Sequence, residues 1–411
     1  MYMLTINYIY CKIKLWYICF FNKTKNTVKG EYRMRIIVET SKFNKIVEMV
    51  NNVNYKIKEQ EPTAINSQTI CIRTSGKNEV SIIAMNQEMY LNILNPAEVV
   101  DDGMIIFQSA TFLKTMKTIS ADRITLSSEG DKLKFIAPDG DCCAEINLLS
   151  ERKFEKLPEF ANRRQLTVVQ SGVLSNCIKA VSSAIPTNAP QEGLNSCCLD
   201  FELCSLYFIG FDGYQLIRYT LNLEDEGTDL DFRDKLLVPT SAALAIAKIL
   251  QKGKANVTLS FSNIKDKRYL VIEKEGVTMA SRLKNFNYPN YEVLLTNESD
   301  LEFTFSQVEL RKTMKSITGL GSSKDLLPVH FIFSGDTVEL RIVTPDSTVS
   351  QKIKLMELSG EVMRFKLLAK SLKNVLPYLP DDIRIKVLKK GLVIIQSAHN
   401  NEYVFVTRTL S

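Results

Sequence analysis

The chain has 411 residues, of which 45% are hydrophobic and 24% are charged. These are the proportions of an ordinary globular protein, and a chain of this length holds about two to four domains. The net charge is +6, but six basic residues and one acid among the first 33 account for five of these charges, which leaves +1 for residues 34–411. A uniformly basic body is therefore excluded, and any nucleic-acid function must depend on where the charges lie.

The first 33 residues differ from the rest of the chain. Residues 2–21 are apolar and aromatic, but Lys12 and Lys14 interrupt the run, which disfavours a membrane span. A signal peptide is also disfavoured, because a basic segment and a small-residue cleavage site are missing. We predict that residues 1–33 are a non-native or disordered extension, with a membrane-associating segment as the alternative. Cysteines without metal-ligand spacing indicate reduced, buried thiols and a cytoplasmic protein.

Six amphipathic helices follow in chain order, as two helices in each of three copies that recur about every 130 residues, far beyond solenoid periods. Each helix has apolar residues at spacing i, i+3, i+4 and i+7, which places them on one face. The six stripes are Phe43/Ile46/Val47/Val50, Phe112/Thr115/Met116/Ile119, Leu174/Cys177/Ile178/Val181, Ala243/Ile246/Ala247/Leu250, Leu310/Thr313/Met314/Ile317 and Leu372/Val375/Leu376/Leu379.

Predicted strands surround these helices in the same order in every copy. Each copy opens with an alternating strand (Arg35–Glu39, 165–170 or Leu301–Ser306) and closes with further strands after its second helix. Strands 205–210 and 216–219 are joined through Asp212-Gly213, a tight-turn dipeptide. The pattern predicts an α+β fold of three similar domains, each with two helices packed on antiparallel sheets. We place the domains at 34–161, 162–297 and 298–411.

Catalytic chemistry is weakly represented in the sequence. His330 and His399 lie in separate predicted strands of the third copy, and neither stands in a nucleophile–base pattern. The acidic pairs Asp139/Asp141 and Asp381/Asp382 lie in or beside turns, where solvated carboxylates are usual. We therefore predict a non-enzyme without metal or cofactor.

Lysines carry the positive signal. On each helix, the second and fifth positions after the start of the apolar stripe point nearly opposite to it. Over the six helices these twelve positions hold seven lysines and one acid, although solvated helix faces normally mix both signs. Lysines so placed would meet phosphates without reading bases, which favours duplex DNA bound without sequence specificity. The predicted DNA-facing residues are Lys45, Lys114, Lys117, Lys179, Lys248, Lys312 and Lys315.

Four local motifs resemble segments of one known family. Two of them are Phe211-Asp212-Gly213-Tyr214-Gln215-Leu216 and Tyr288-Pro289-Asn290-Tyr291. They resemble the Thr-Asp-Gly-His-Arg-Leu and Phe-Pro-Asp-Tyr segments of the bacterial DNA polymerase III β subunit, or sliding clamp. Phe154-Glu155-Lys156-Leu157-Pro158 is similar to the end of its first domain, and the segment from Tyr403 to Leu410 is similar to its carboxyl end. The likeness covers residues 34–411 in order.

The resemblance implies a head-to-tail homodimeric ring around DNA, with helices lining the hole, and a processivity factor that tethers the replicative polymerase and clamp loader subunits through their linear peptide motifs. It implies a peptide groove between domains two and three, formed by Leu194, Phe211, Gly213, Tyr214, Leu216, Pro289, Val293, Leu294, Val404, Phe405, Val406, Thr407, Arg408 and Leu410. It also implies a dimer interface that includes Ala144, Ile146, Ile317 and Leu320.

Two alternatives remain open from the sequence. The chain could be a clamp-like scaffold of phage or plasmid type, including one that does not close a ring. It could instead be a cysteine-dependent enzyme with Cys71 or Cys204 as the nucleophile.

Overall fold

A computed structural model describes residues 34–51, 53, 69–150, 159–160, 162–186, 191–224, 226–251, 253–296, 298–318 and 327–410. The predicted extension 1–33, the segment 154–158 and Leu320 lie outside the described residues.

All six predicted helices are present, and their apolar stripes face the core. Phe43, Val47 and Val50 are buried in the first helix, and every member of the predicted stripe is buried in the third, fourth and sixth. A 3-10 turn, Leu376–Tyr378, prolongs the last stripe. The helices are α1 (Thr40–Val50), α2 (Ser109–Lys117), α3 (Ser171–Ser182), α4 (Thr240–Leu250), α5 (Gln307–Thr318) and α6 (Ala369–Val375).

The strands follow the predicted threefold order. The first repeat contains β1 (Arg35–Glu39), β2 (Thr69–Thr74), β3 (Glu79–Met85), β4 (Met89–Pro96), β5 (Glu98–Asp101), β6 (Met104–Gln108), β7 (Arg123–Glu129), β8 (Lys132–Ile136) and β9 (Cys142–Asn147). The second contains β10 (Arg163–Gln170), β11 (Ser196–Glu202), β12 (Ser205–Phe211), β13 (Leu216–Asn222), β14 (Asp234–Pro239), β15 (Asn256–Ile264), β16 (Lys267–Lys274) and β17 (Val277–Arg282). The third contains β18 (Leu301–Ser306), β19 (Pro328–Ser334), β20 (Thr337–Val343), β21 (Thr348–Lys354), β22 (Glu357–Gly360), β23 (Phe365–Leu368), β24 (Asp382–Val387), β25 (Leu392–Ser397) and β26 (Tyr403–Arg408).

These strands form four sheets. Their orders are β5-β1-β7-β8-β9, β10-β15-β16-β17-β4-β3-β2-β6, β14-β11-β12-β13-β26-β25-β24-β18-β22 and β21-β20-β19-β23. Two sheets thus continue from one repeat into the next, since β17 pairs with β4 and β26 pairs with β13. Strands β9 and β21 are edge strands of their sheets.

The chain divides into two compact units rather than three. One contains Met1–Lys45, Cys71–Ser81 and Asn95–Lys153, and the other contains Ile46–Ile70, Ile82–Leu94 and Phe154–Ser411. The second and third repeats fall in one unit because the pairing of β13 with β26 joins them through the backbone. The predicted domain boundaries at 161/162 and 297/298 stay predictions.

Aromatic side chains fill the core of each unit. In the first unit, Phe112 of α2 stacks on Phe107 at 4.3 Å between ring centroids and lies 5.4 Å from Phe135. In the second unit, Phe331 and Phe365 stack at 4.5 Å, and Phe303 packs beside both rings. Such pairs contribute about 0.5–1.5 kcal/mol beyond their area burial.

Helices α3 and α4 approach closely because small residues line their contact. Ala243 and Ala247 of α4 are buried, and the Ser175 hydroxyl donates to the Ala247 carbonyl at 2.6 Å. Gly172 is required at the start of α3, since a Cβ there would lie 2.7 Å from the Gly253 carbonyl oxygen. The contact between α3 and α4 therefore sets which face of each helix stays turned away from the sheet.

Candidate nucleic-acid interface and partner groove

The predicted lysines of the first unit lie on exposed helix faces. Lys45 of α1 is exposed while Phe43 and Val47 of the same helix are buried. Lys114 and Lys117 of α2 are likewise exposed. The helical spacing therefore separates apolar and cationic faces as predicted.

The second unit repeats this separation. Lys248 of α4 and Lys312 and Lys315 of α5 are exposed. Lys179 of α3 is half-buried, and its ammonium Nζ lies 3.4 Å from Oε1 of Gln251. Contact of these seven lysines with DNA stays a prediction.

Two exposed lysines on α6 were missed by the sequence argument. Lys370 and Lys373 both lie on the first turns of this helix. The second and fifth positions after Leu372, where the apolar stripe starts, are Asn374 and Pro377 instead. Lys370 lies two residues before the stripe. Including the helical turn before the stripe would therefore have identified this lysine from the sequence.

The candidate groove is built around a hydrophobic cluster that joins the second and third repeats. Its buried members are Cys198, Ile209, Leu216, Leu237, Tyr291, Ile394, Val404 and Val406. Phe211, Tyr288, Leu294, Leu295, Leu392 and Tyr207 pack against it while staying partly accessible. The structure thus brings together residues from three predicted groove segments that are distant in sequence.

Exposure divides the predicted groove residues into two classes. Tyr214 is 78% exposed and Val293 is 72% exposed. Phe211, Pro289, Leu294 and Leu410 are half-buried, and Arg408 is exposed. These side chains, beside Gly213 in its turn, can meet a partner directly.

The remaining predicted groove residues are buried, and their part in partner binding stays a prediction. The buried residues are Leu194, Leu216, Val404, Phe405, Val406 and Thr407. Strand β26 lies inside a nine-stranded sheet, paired with β13 on one side and β25 on the other. Leu216, Val404 and Val406 are buried members of the hydrophobic cluster.

The turn that presents Tyr214 is fixed by hydrogen bonds. The Asp212 carboxylate accepts from the backbone N–H of Tyr214 at 2.8 Å and of Gln215 at 2.6 Å. Gly213 has φ +93°, a conformation that glycine adopts without strain. The Gln215 side-chain amide donates to the Ser371 hydroxyl of α6, which links the second and third repeats.

Polar contacts to a buried aspartate hold the segment that carries Pro289, Val293 and Leu294. The Tyr291 hydroxyl donates to Oδ2 of Asp200 at 2.7 Å, and the Lys235 ammonium lies 3.0 Å from the same oxygen. Asp200 is 2% exposed. Burial and the bond to Asp200 raise the pKa of Tyr291. Burial lowers the pKa of Lys235, but the hydrogen bond and charge of Asp200 outweigh it, so that this pKa is raised.

Replacing Tyr291 by phenylalanine is expected to destabilise the protein by about 1–3 kcal/mol, because Asp200 would lose a donor while remaining buried. Denaturant unfolding measures this loss. Tyr288→Phe is the matched control, since the buried Tyr288 hydroxyl has no hydrogen-bond partner among the described residues. Equal losses for both variants would contradict a role for the Tyr291–Asp200 bond.

The predicted dimer residues have different surroundings. Ala144 is half-buried on edge strand β9, whereas Ile146 is 6% exposed and packs within its own chain. A contribution of Ile146 to a dimer contact stays a prediction. Ile317 lies in α5, and its contacts are outside what the structure describes.

Neither histidine forms part of a metal cluster in the described ranges, where no group of three or more His, Cys, Asp or Glu residues converges. His399 Nε2 lies 2.9 Å from Oδ2 of Asp382 at the surface. Within the part of the chain that the structure covers, no helix has the length and apolar character needed to span a membrane.

The cysteine-enzyme alternative predicts one hyper-reactive thiol. Cys71, one of the two candidate nucleophiles, is completely buried. Burial also raises the pKa of Cys177 to about 12, far above neutral pH. Brief labelling with iodoacetamide at pH 8 is expected to modify the exposed Cys142 and Cys143 at ordinary rates and to spare Cys71 and Cys177. Rapid labelling of Cys71 or Cys204, read by peptide mass, would revive that alternative.

Comparison with known proteins adds to this geometry. Residues 168–290 match the family model described as DNA polymerase III beta subunit, central domain. A beta sliding clamp of Streptococcus pneumoniae is 19% identical over 264 residues, which span 63% of this chain and 66% of that protein. A beta sliding clamp of Treponema pallidum is 21% identical over 300 residues, which span 73% of this chain and 76% of that protein.

Solved structures show a similar fold over nearly the whole chain. The DNA polymerase sliding clamp of Bacillus subtilis superposes with a TM-score of 0.82 at 16% identity and covers 92% of this chain and 99% of that one. The DNA polymerase III subunit beta of Pseudomonas aeruginosa gives 0.78 at 17% identity, with 92% and 100% covered. The chain therefore has the sliding-clamp fold, and its residues 168–290 are similar to the central domain of the DNA polymerase III beta subunit.

Proposed function

We propose that this chain is a DNA polymerase processivity factor: a non-catalytic sliding clamp that closes around duplex DNA as a head-to-tail homodimer and tethers the replicative polymerase. The observation that carries the proposal is how the last strand of each repeat pairs. In the second and third repeats it pairs with a strand of the preceding repeat. In the first repeat the equivalent pairing requires another copy of the chain.

This pairing concerns the last strand of each repeat. In the second repeat the last strand, β17, pairs antiparallel with β4 of the first, from Val277↔Ile93 to Ser281↔Met89. In the third repeat the last strand, β26, pairs antiparallel with β13 of the second, from Leu216↔Val406 to Tyr219↔Tyr403. Strands β4 and β13 are each the third strand after the first helix of their repeat.

The same pairing in the first repeat would join strands β9 and β21. Strand β9 is the last strand of that repeat, and β21 is the third strand after the first helix of the third repeat. Both are edge strands. Pairing β9 of one copy with β21 of another is a heterologous contact, and two such contacts close a ring of six repeats. In this arrangement Ala144 would lie at the seam, and Ile317 and Leu320 remain proposed contributors from α5 and the residues after it.

The exposed helix lysines suit a clamp that slides. Lysine ammonium groups meet phosphates as point charges, so their contacts carry no sequence information. Such contacts weaken with salt, at about 0.9 log unit of affinity per log unit of salt for each phosphate neutralised. A closed ring needs little affinity, because its topology retains the DNA. We therefore propose duplex DNA as the partner of this face, in the cytoplasm where replication takes place.

The groove suits tethering by a flexible peptide. Tyr214 and Val293 are exposed apolar side chains beside a partly accessible cluster, which is a surface that accepts aromatic or aliphatic anchors. We propose that polymerase and clamp loader subunits bind here through linear motifs. A partner held beside its DNA substrate rebinds before it diffuses away, so a weak motif is sufficient.

Charge reversal tests the DNA face. Changing Lys114, Lys117, Lys312 and Lys315 to glutamate is expected to reduce stimulation of polymerase run length on a primed circular template at least tenfold, because repulsion replaces four phosphate attractions. Sedimentation and thermal unfolding should stay unchanged. The matched control reverses four lysines at strand turns or ends, Lys77, Lys265, Lys267 and Lys390, all of them exposed. Equal effects of the two sets would remove the case for a specific DNA face.

A further inference from the structure

Two adjacent cysteines stand at the start of edge strand β9. Cys142 and Cys143 are both exposed, although neighbours in a regular strand point to opposite faces of the sheet. The reason is a bulge: Phe135 pairs with Ala144 and Ile136 pairs with Cys142, which leaves Cys143 without an opposite residue. The strand that would close the ring therefore begins with two accessible thiols.

These thiols are disposed to react outward and not with each other. Neighbouring Cα atoms are about 3.8 Å apart, shorter than the usual 4.4–6.8 Å of a disulfide. Each thiol has one weak local contact, from Cys142 Sγ to the Ala144 carbonyl at 3.5 Å and from Cys143 Sγ to the Asp141 carbonyl at 3.8 Å. Neither contact shields the sulfur from solvent, whereas Cys177, Cys197 and Cys198 are buried.

Their place on the strand coincides with the pairing found at the two intact junctions. The first residue of β17, Val277, pairs with Ile93, and the first residue of β26, Tyr403, pairs with Tyr219. Cys142 is the first residue of β9. Added bulk at this end would hence stand where the seam has to form.

We propose that the Cys142–Cys143 pair is a thiol-modification site that controls ring closure, and that its reactant is a low-molecular-weight disulfide of the glutathione type. One cysteine thiolate attacks a sulfur of the disulfide, the S–S bond of the reagent breaks, and a mixed disulfide forms on Cys142 or Cys143. The departing thiolate leaves as reduced glutathione after it takes up a proton, so no further oxidant is needed. The attached tripeptide keeps β9 from pairing. This inference rests on the proposed ring.

The test compares the full-length chain before and after incubation with oxidised glutathione. Peptide mass is expected to place the adduct on Cys142 or Cys143, and sedimentation velocity is expected to show at least a tenfold rise in the dimer dissociation constant. Dithiothreitol should reverse both changes. The double variant Cys142→Ser/Cys143→Ser should dimerise normally and resist the reagent, whereas Cys204→Ser should respond like the unaltered chain.

Each failure has its own signature. A fully modified protein that stays dimeric, or thiols that do not form the adduct, would overturn the inference and leave the ring intact. If the untreated chain is monomeric at micromolar concentration, the proposed ring is wrong. The proposed control of ring closure by thiol modification is then wrong as well.

Discussion

Replacing Glu145 and Asn147 by proline is expected to leave the chain monomeric at micromolar concentration, with a rise in the dimer dissociation constant of at least 100-fold. The Leu148 N–H donates inward to the Asp131 carbonyl at 2.7 Å. Because hydrogen-bonding direction alternates along an antiparallel strand, the N–H groups of Glu145 and Asn147 point to the open edge. Proline removes these donors, and proline is tolerated on an edge that faces solvent.

The control for this experiment keeps the backbone donors. Glu145→Ala/Asn147→Ala removes the same side chains, including the exposed ion pair of Glu145 with Lys132, whose ammonium Nζ lies 2.9 Å from the carboxylate Oε2. Exposed pairs contribute little to stability. Sedimentation equilibrium of both variants, with circular dichroism to check folding, measures the difference. If the proline variant dimerises as tightly as the alanine variant, β9 is not at the seam.

The second large effect is expected in the groove. Tyr214→Ala combined with Val293→Ala should weaken binding of a clamp-binding peptide from the replicative polymerase at least 100-fold, about 2.7 kcal/mol, because both apolar anchors of the rim are removed. Both side chains are largely exposed, so the free energy of unfolding should change by less than about 0.5 kcal/mol. Fluorescence anisotropy with a labelled peptide measures the affinity.

Leu203→Ala provides the matched control, since Leu203 is 64% exposed in the turn between β11 and β12 and lies outside the cluster. These variants test the groove more specifically than deletion of residues 407–411 would. That deletion removes Thr407 and Arg408, which pair with Val393 and Leu392, and so it would also damage the sheet. Loss of peptide binding in Leu203→Ala, or retention in the double variant, would place the groove elsewhere.

Local sequence patterns were sufficient to predict the helices and the turn. The stripe Leu174/Cys177/Ile178/Val181 is buried throughout, because four apolar residues on one helix face have to leave water together. The Asp212-Gly213 turn is present because its residue types suit a positive φ angle and an accepting carboxylate. Both features depend on residues close in sequence.

Features that depend on distant pairing were less accessible. The tail 404–407 is an apolar segment in the sequence, and its pairing between β13 and β25 is not revealed by local pattern. The bond between Tyr291 and Asp200 joins residues 91 positions apart. Asp200, an acid among apolar neighbours in the strand Ser196–Glu202, was the only local signal of this bond. The bulge at Cys143 likewise depends on the register between two strands.

Retention on circular DNA tests the central claim most directly. A clamp loaded on a nicked circle should remain bound through a wash at high salt and should leave when one restriction cut makes the circle linear, because a closed ring escapes only over an end. Release by salt from the intact circle, or equal retention on circular and linear DNA, would contradict a ring that encircles the duplex.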